Sequence, residues 1–90
     1  MTLLRTTNYN GIDIKYFLTD KSGEFGEYGI YVRYGDEDWE VEALSADINF
    51  VENLINELAD TKTLPEFVQE LCEEALLEQV FIGNRRKNEP

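Results

Sequence analysis

The sequence contains no histidine and only one cysteine, and both shortages limit its chemistry. Histidine is the commonest general base and metal ligand at neutral pH, so its absence argues against acid–base catalysis and transition-metal binding. Cys72 falls in the apolar stripe of a predicted helix, where a thiol is usually a small core residue, and no activating base is evident. We therefore expect no nucleophilic or redox role for this thiol, and the sequence indicates no cofactor.

Long apolar runs are also missing. No stretch approaches the roughly 20 residues that a membrane-spanning helix needs. The start of the chain, Met1 to Arg5, has neither an apolar core region nor a cleavage site, so a secretory signal is not expected. A single cysteine cannot form an internal disulfide, which is typical of a reducing compartment. Together these shortages predict a cytoplasmic protein that has no membrane partner.

Positive charge is scarce. Eight lysines and arginines stand against nineteen acids, giving a net charge of −11. The excess is uneven, because residues 36–84 carry fourteen acids and one base whereas the charges of residues 1–35 cancel. This balance argues against direct binding to nucleic acid or to an anionic membrane. It fits solvated outer faces of helices, and it leaves open an acidic surface that mimics a phosphate backbone.

The chain has ninety residues, of which 42% are hydrophobic, and this is enough for one folded domain.

In the first part of the chain, apolar and polar residues alternate with a period of two. Strands from Leu3 to Thr7 and from Ile12 to Leu18 flank Asn10-Gly11, a strong turn signal. This turn predicts that Leu3 lies opposite Leu18 and Thr7 opposite Ile14. The glycine-containing stretch that follows, residues 20–27, is predicted to be a mobile loop.

The stretch Tyr28–Leu44 predicts a second hairpin with a loop centred on Asp36 and Glu37. The expected register sets Arg33 opposite Glu40 as a cross-strand ion pair. Because side chains alternate between faces, the apolar residues then share one face. That face carries Ile30, Val32, Tyr34, Trp39, Val41 and Ala43. The tryptophan is the expected core anchor of the hairpin, because it has the largest apolar area in the set.

After Leu44 the apolar period changes to about 3.6, which indicates two amphipathic helices. Ser45 or Asp47 is the expected cap of the first helix. For the second helix we expect a capping box between Thr63 and Glu66, followed by an end at Gly83 or Asn84. The inward residues predicted for the first helix are Ile48, Val51, Leu54, Ile55 and Leu58. Those predicted for the second are Phe67, Val68, Leu71, Cys72, Ala75 and Ile82.

Four short strands followed by two helices predict an α+β domain. Its expected form is a four-stranded antiparallel meander with both amphipathic helices packed on one face. The domain would span residues 1–84, and residues 85–90 would form a flexible C-terminal tail.

Four short motifs between residues 12 and 78 resemble those of one group of proteins. They are Y-G-I at Tyr28–Ile30, L-S-A-D at Leu44–Asp47, V-x-x-L-I-x-x-L at Val51–Leu58 and L-P-E-F-V at Leu64–Val68. The group is a small family of uncharacterised bacterial proteins, typical of clostridia and their relatives, known only as a domain of unknown function. Family members commonly have isoleucine and histidine after the proline of the last helix, where this chain has Glu66 and Phe67. The resemblance therefore implies a fold and a bacterial origin but no site residue.

A cluster of acids is the other candidate for chemistry. Asp36, Asp38, Glu40 and Glu42 alternate around the second hairpin, but the mid-loop glycine of a calcium-binding loop is missing. A two-layer domain of this size also has little room for the cleft that paired catalytic carboxylates need. We therefore expect a charged hairpin tip, with no metal site, no small-molecule ligand and no enzymatic activity.

Two binding functions remain. In the first, the protein is an acidic interaction or regulatory module whose open sheet face carries Leu4, Phe17, Tyr31 and Arg33. Large apolar groups among mixed charges are typical of a contact surface, so we expect a protein partner or a homodimer there. In the alternative, the protein is an acidic decoy that inhibits a DNA- or RNA-binding enzyme. The acids of that decoy would be Glu52, Glu57, Glu66, Glu70, Glu73, Glu74 and Glu78.

Overall fold

The computed structural model describes the backbone of residues 1–21 and 27–88, and the side chains of residues 1–20 and 27–78. Four strands are followed by two helices: β1 (Thr2–Tyr9), β2 (Ile12–Lys21), β3 (Glu27–Tyr34), β4 (Glu37–Ser45), α1 (Ile48–Asp60) and α2 (Pro65–Asn88). The strands form one antiparallel sheet in the order β1-β2-β3-β4, and both helices pack on it. The predicted α+β class, an antiparallel meander followed by two helices, is confirmed. The loop expected at residues 20–27 lies mostly outside the described residues.

The first hairpin turns at Asn10-Gly11 as predicted. Both residues have positive φ, 53° and 82°, which is the combination that a type I′ turn requires. The prediction that Leu3 lies opposite Leu18 is wrong, because the register shifts between Leu3 and Arg5 and Leu3 pairs with Phe17. This bulge turns Arg5 toward α1, where its guanidinium donates to Asn56 and Asp60.

The second hairpin has a tighter turn than the sequence suggests. Only Gly35 and Asp36 lie in the loop, so Arg33 pairs with Asp38 and the predicted opposition of Arg33 and Glu40 is wrong. The true register differs from the expected one by two residues near the turn. A shift of two preserves the faces of a strand, so Val32 and Val41 remain in the core.

A bulge in β4 restores the expected register at the far end of this hairpin. Tyr28 pairs with Ser45 whereas Ile30 pairs with Val41, so residues 42–44 together oppose Gly29. Ala43 adopts a left-handed φ of 52° and is exposed, which corrects its predicted place in the core. Leu44 is buried in its place.

The core lies between the sheet and the helices. Its buried residues are Ile14, Tyr16, Leu18, Ile30, Val32, Val41, Leu44, Val51, Leu54, Ile55, Leu58, Ala59, Val68 and Cys72. The predictions that Trp39 and Phe67 face inward are wrong, because 47% of the surface of Trp39 and 49% of that of Phe67 are exposed. Trp39 lies on the expected face but near the hairpin turn, where its Nε1 donates to Gln69 Oε1 at 3.1 Å. Ile48, at the start of α1, is also exposed.

Helix α1 begins and ends with well-defined caps. The carboxylate of Asp47 accepts from the backbone N–H groups of Asn49 and Phe50, which confirms it as the N-cap. At the other end Lys62 has a φ of 53°, and the N–H of Thr63 donates to the carbonyl of Leu58 at 2.9 Å. This is the Schellman arrangement, here with a lysine at the left-handed position that glycine usually occupies.

Helix α2 differs from the prediction at both ends. It starts at Pro65, so Thr63 lies outside it; the Thr63 hydroxyl is 2.8 Å from that of Thr61, and the predicted capping box with Glu66 is wrong. The helix continues through Gly83 and Asn84 to Asn88, so the predicted end is also wrong. Ile82 lies beyond the described side chains, and the flexibility of residues 85–90 stays a prediction. No helix in the described ranges is long and apolar enough to cross a membrane.

The close approach of β4 to Gly29 predicts that a side chain at this position destabilises the protein. A Cβ at this position would collide with the carbonyl oxygen of Val41 and lie 2.7 Å from Thr19 Oγ1. We expect Gly29→Ala to lower the free energy of unfolding by about 1–3 kcal/mol, the usual cost of overpacking. Urea denaturation measures it. Ala43→Gly in the same bulge is the control and should not destabilise the protein, because glycine accepts a positive φ. Equal midpoints for Gly29→Ala and the wild type would contradict the close approach.

Candidate functional site

The sheet face opposite the helices carries a row of large side chains. This row crosses all four strands, because Leu3 pairs with Phe17, Phe17 with Tyr31 and Tyr31 with Glu40. Leu3 is 48% exposed, and Phe17 and Tyr31 are half-buried. The two aromatic rings lie with their centroids 5.6 Å apart and their planes at 48°. We call Leu3, Phe17 and Tyr31 the apolar row.

The position of Tyr31 is fixed by a hydrogen bond. Its hydroxyl donates to Asp38 Oδ2 at 2.8 Å, across the β3–β4 pair. This bond, and then partial burial, raise the pKa of Tyr31 above its ordinary value, because both favour the protonated hydroxyl. The tyrosine therefore presents its ring to solvent in a defined orientation.

A polar row lies beside the apolar row. It contains Thr6, Lys15, Arg33 and Asp38, which are successive partners across the sheet. The two bases are neighbours on β2 and β3, whereas the acids Asp38 and Glu40 lie on the edge strand β4. The face is therefore basic in its middle and acidic along one edge.

Three of the four predicted site residues are brought together. Phe17, Tyr31 and Arg33 share the open face, but Leu4 does not, because the bulge in β1 turns it toward the core. Leu3 takes its place beside Phe17. Two successive leucines ahead of Arg5 break strict alternation, and this irregularity is the signal in the sequence from which the bulge could have been inferred.

The buried ionisable groups have structural roles. Burial raises the pKa of the Cys72 thiol to about 12, with Glu73 contributing in the same direction, so a reactive thiolate is disfavoured. Burial also raises the pKa of Tyr16 to about 12, although the charge of Arg5 opposes the shift. The Tyr16 hydroxyl donates to the carbonyl oxygen of Thr63 at 2.9 Å. Among the described residues, no group of acidic or cysteine side chains is arranged to hold a metal ion.

Comparison of the chain with family models, curated proteins and solved structures gives no match. The resemblance to the clostridial group of unknown function stays a prediction.

The raised pKa values predict a loss of stability in alkaline solution. The unfolded chain releases the Cys72 and Tyr16 protons near their ordinary pKa values of 9.0 and 10.0, whereas the folded chain holds them to about 12. Deprotonation therefore favours unfolding. The contribution of these two groups to the free energy of unfolding is fully present below pH 9.0 and is lost as the pH rises to about 12.

Denaturant midpoints across this pH range test the prediction. Cys72→Ala should flatten the decline in denaturant midpoint that begins near pH 9.0. Tyr16→Phe should flatten the decline in midpoint that begins near pH 10.0. Each variant lacks one titrating group, so its slope against pH must be shallower than that of the wild type. Three parallel slopes would contradict the assignment.

Proposed function

We propose that this chain is a small protein-interaction module that associates with a second copy of itself through the open sheet face. The observation that carries the proposal is the apolar row, in which three large side chains adjoin on neighbouring strands. Antiparallel sheets commonly leave one face to solvent, but such a face is ordinarily polar. A continuous apolar row on it is typical of a contact surface.

The charges on the same face support a second copy as the partner. In a twofold interface the same patch meets itself, so a group that lies off the twofold axis faces a different group of the other copy. Lys15 and Arg33 lie in the middle of the face and Asp38 and Glu40 at its edge. The bases of one copy can therefore meet the acids of the next. Most acids of the helices lie on the opposite layer, away from this contact.

The proposed role is binding and regulation rather than catalysis. The buried state of Cys72 and the absence of histidine support this reading. A cytoplasmic location belongs to the same proposal, because a single reduced thiol suits that compartment.

A row of acids on α2 favours the alternative, a nucleic-acid mimic. Glu66, Glu70, Glu74 and Glu78 recur at every fourth residue and are exposed, which sets them at intervals of about 6 Å along the helix. Exposed and half-buried apolar residues on the same helix, Phe67 and Leu71, interrupt this surface. A phosphate mimic gains nothing from such residues, so the interaction module is the better supported function.

Multi-angle light scattering tests the proposed dimer. We expect the wild type to have twice the monomer mass and the double variant Phe17→Asp with Tyr31→Asp to be monomeric, because two buried carboxylates at the contact would be unpaired. Leu3→Lys, at an exposed edge position with little effect on the core, should also weaken the dimer. Phe67→Asp is the control, since it introduces one carboxylate on the helical side and should leave the dimer intact.

Two results would contradict the proposal. One is a wild type that stays monomeric at the highest concentration that can be measured. The other is a dimer that survives both the double variant and Leu3→Lys. Suppose that the chain inhibits a DNA- or RNA-binding enzyme and that replacing Glu70, Glu73 and Glu74 by lysine abolishes this inhibition. The nucleic-acid mimic would then replace the interaction module as the proposed function.

A further inference from the structure

A groove runs between the two helices, on the layer opposite the apolar row. Helix α1 packs on the sheet mainly over β1 and β2, whereas α2 packs mainly over β4. The space left between them has a volume of about 550 Å³. Its apolar lining comes from Leu54 and Leu58 of α1, Leu64 of the connection, and Phe67, Leu71 and Ala75 of α2.

Phe67 is the least buried of these apolar residues. Nearly half of its side chain is exposed, although it lies at a position of α2 whose helical period predicts burial. Phe67, Leu71 and Ala75 follow one another at intervals of four residues, as Leu54 and Leu58 do on α1. Helix α2 therefore presents a ridge of apolar side chains to the groove, the pattern against which a further helix packs, whereas Leu54 and Leu58 line the α1 side as nearly buried residues.

The rim of the groove is acidic. Glu57 of α1 and Glu74 and Glu78 of α2 line it and are exposed, and among the side chains that the structure describes Lys62 is the one base in the lining. An occupant that buries apolar side chains between these acids is favoured by positive charge along its edges, because positive groups attract the acids whereas negative groups would be repelled. A second copy of this chain does not meet this need through its own α1, whose exposed residues include the acids Glu57 and Asp60 and no base. The first three turns of α2 do not meet it either, because their exposed face is rich in glutamate.

We infer that this groove binds an amphipathic helix of another protein, apolar on one side and rich in lysine or arginine along its edges. The two long walls of the groove are α-helices, so their peptide groups are bonded internally and these walls offer side chains; Tyr9 of β1 and residues 61–64 of the connection complete the lining. An extended peptide would bury backbone N–H and C=O groups without partners, at a high cost. A helix satisfies its own backbone and needs only complementary side chains. The inference is independent of the proposed dimer, because it uses the opposite layer.

A synthetic peptide provides the probe. It has about 18 residues, with leucine at positions i, i+3, i+4 and i+7 of each repeat and lysine elsewhere, long enough to form a helix when bound. Fluorescence anisotropy of the labelled peptide should show saturable binding to the full chain. We expect a scrambled peptide of the same composition to bind at least about tenfold more weakly, a difference of about 1.4 kcal/mol. A peptide with glutamate in place of lysine should not bind.

Paired variants locate the site. Glu74→Lys should weaken binding about tenfold, whereas Glu70→Lys, the same change one turn earlier and outside the lining, should weaken it less than about threefold. Phe67→Ala should also weaken binding about tenfold, and Leu77→Ala, at a more exposed position outside the lining, should have no effect.

The Phe17→Asp, Tyr31→Asp double variant should bind the peptide like the wild type, so failure of the dimer and failure of this inference remain distinguishable.

Several outcomes would overturn the inference. Equal losses for Glu74→Lys and Glu70→Lys, or equal binding of the scrambled peptide, would reduce the interaction to general attraction between opposite charges. Unchanged binding by Phe67→Ala would remove the groove from the site. Loss of self-association in Phe67→Ala would mean that a second copy occupies the groove instead.

Discussion

Tyr16 is fully buried in the middle of the sheet, and its hydroxyl needs a partner within the protein. The carbonyl oxygen of Thr63 provides it at 2.9 Å, and an unpaired hydroxyl at this depth would cost about 1–3 kcal/mol. Because Thr63 belongs to the α1–α2 connection, the bond holds that connection against β2. The N–H of Thr63 also closes the end of α1 by donating to Leu58. Thr63 thus takes part both in the end of α1 and in the attachment of the α1–α2 connection to the sheet.

The sequence is informative about elements and less so about their register. Asn10-Gly11 identifies the first turn because few residues other than asparagine and glycine accept its positive φ values, and a period near 3.6 identifies both helices. The second hairpin shows the limit of such reasoning, because a shift of two residues leaves every side chain on its face and so cannot be detected from alternation. The end of α2 shows another limit. Gly83 is a common helix terminator, but it is tolerated within a helix when the neighbouring turns continue.

The candidate surface was predictable where alternation is regular and not where a bulge intervenes. Phe17, Tyr31 and Arg33 lie on regular stretches of β2 and β3, and their face follows from period two. Leu4 lies at the bulge of β1, so the same rule assigns it to the wrong side. Trp39 and Phe67 fail for a different reason. Each is on the expected side of its element, but near the end of a strand or helix, where the opposite layer no longer covers it.

Both edge strands of the sheet carry an irregularity, at Leu3 to Arg5 in β1 and at residues 42–44 in β4. A free edge exposes unpaired peptide groups that can template another strand, which is how fibrils and runaway aggregates grow. A strand approaching either edge would meet a backbone that departs from regular spacing, and along β4 it would also meet the exposed carboxylates of Glu37, Asp38 and Glu40. Growth of the sheet in its own plane is therefore opposed at both ends.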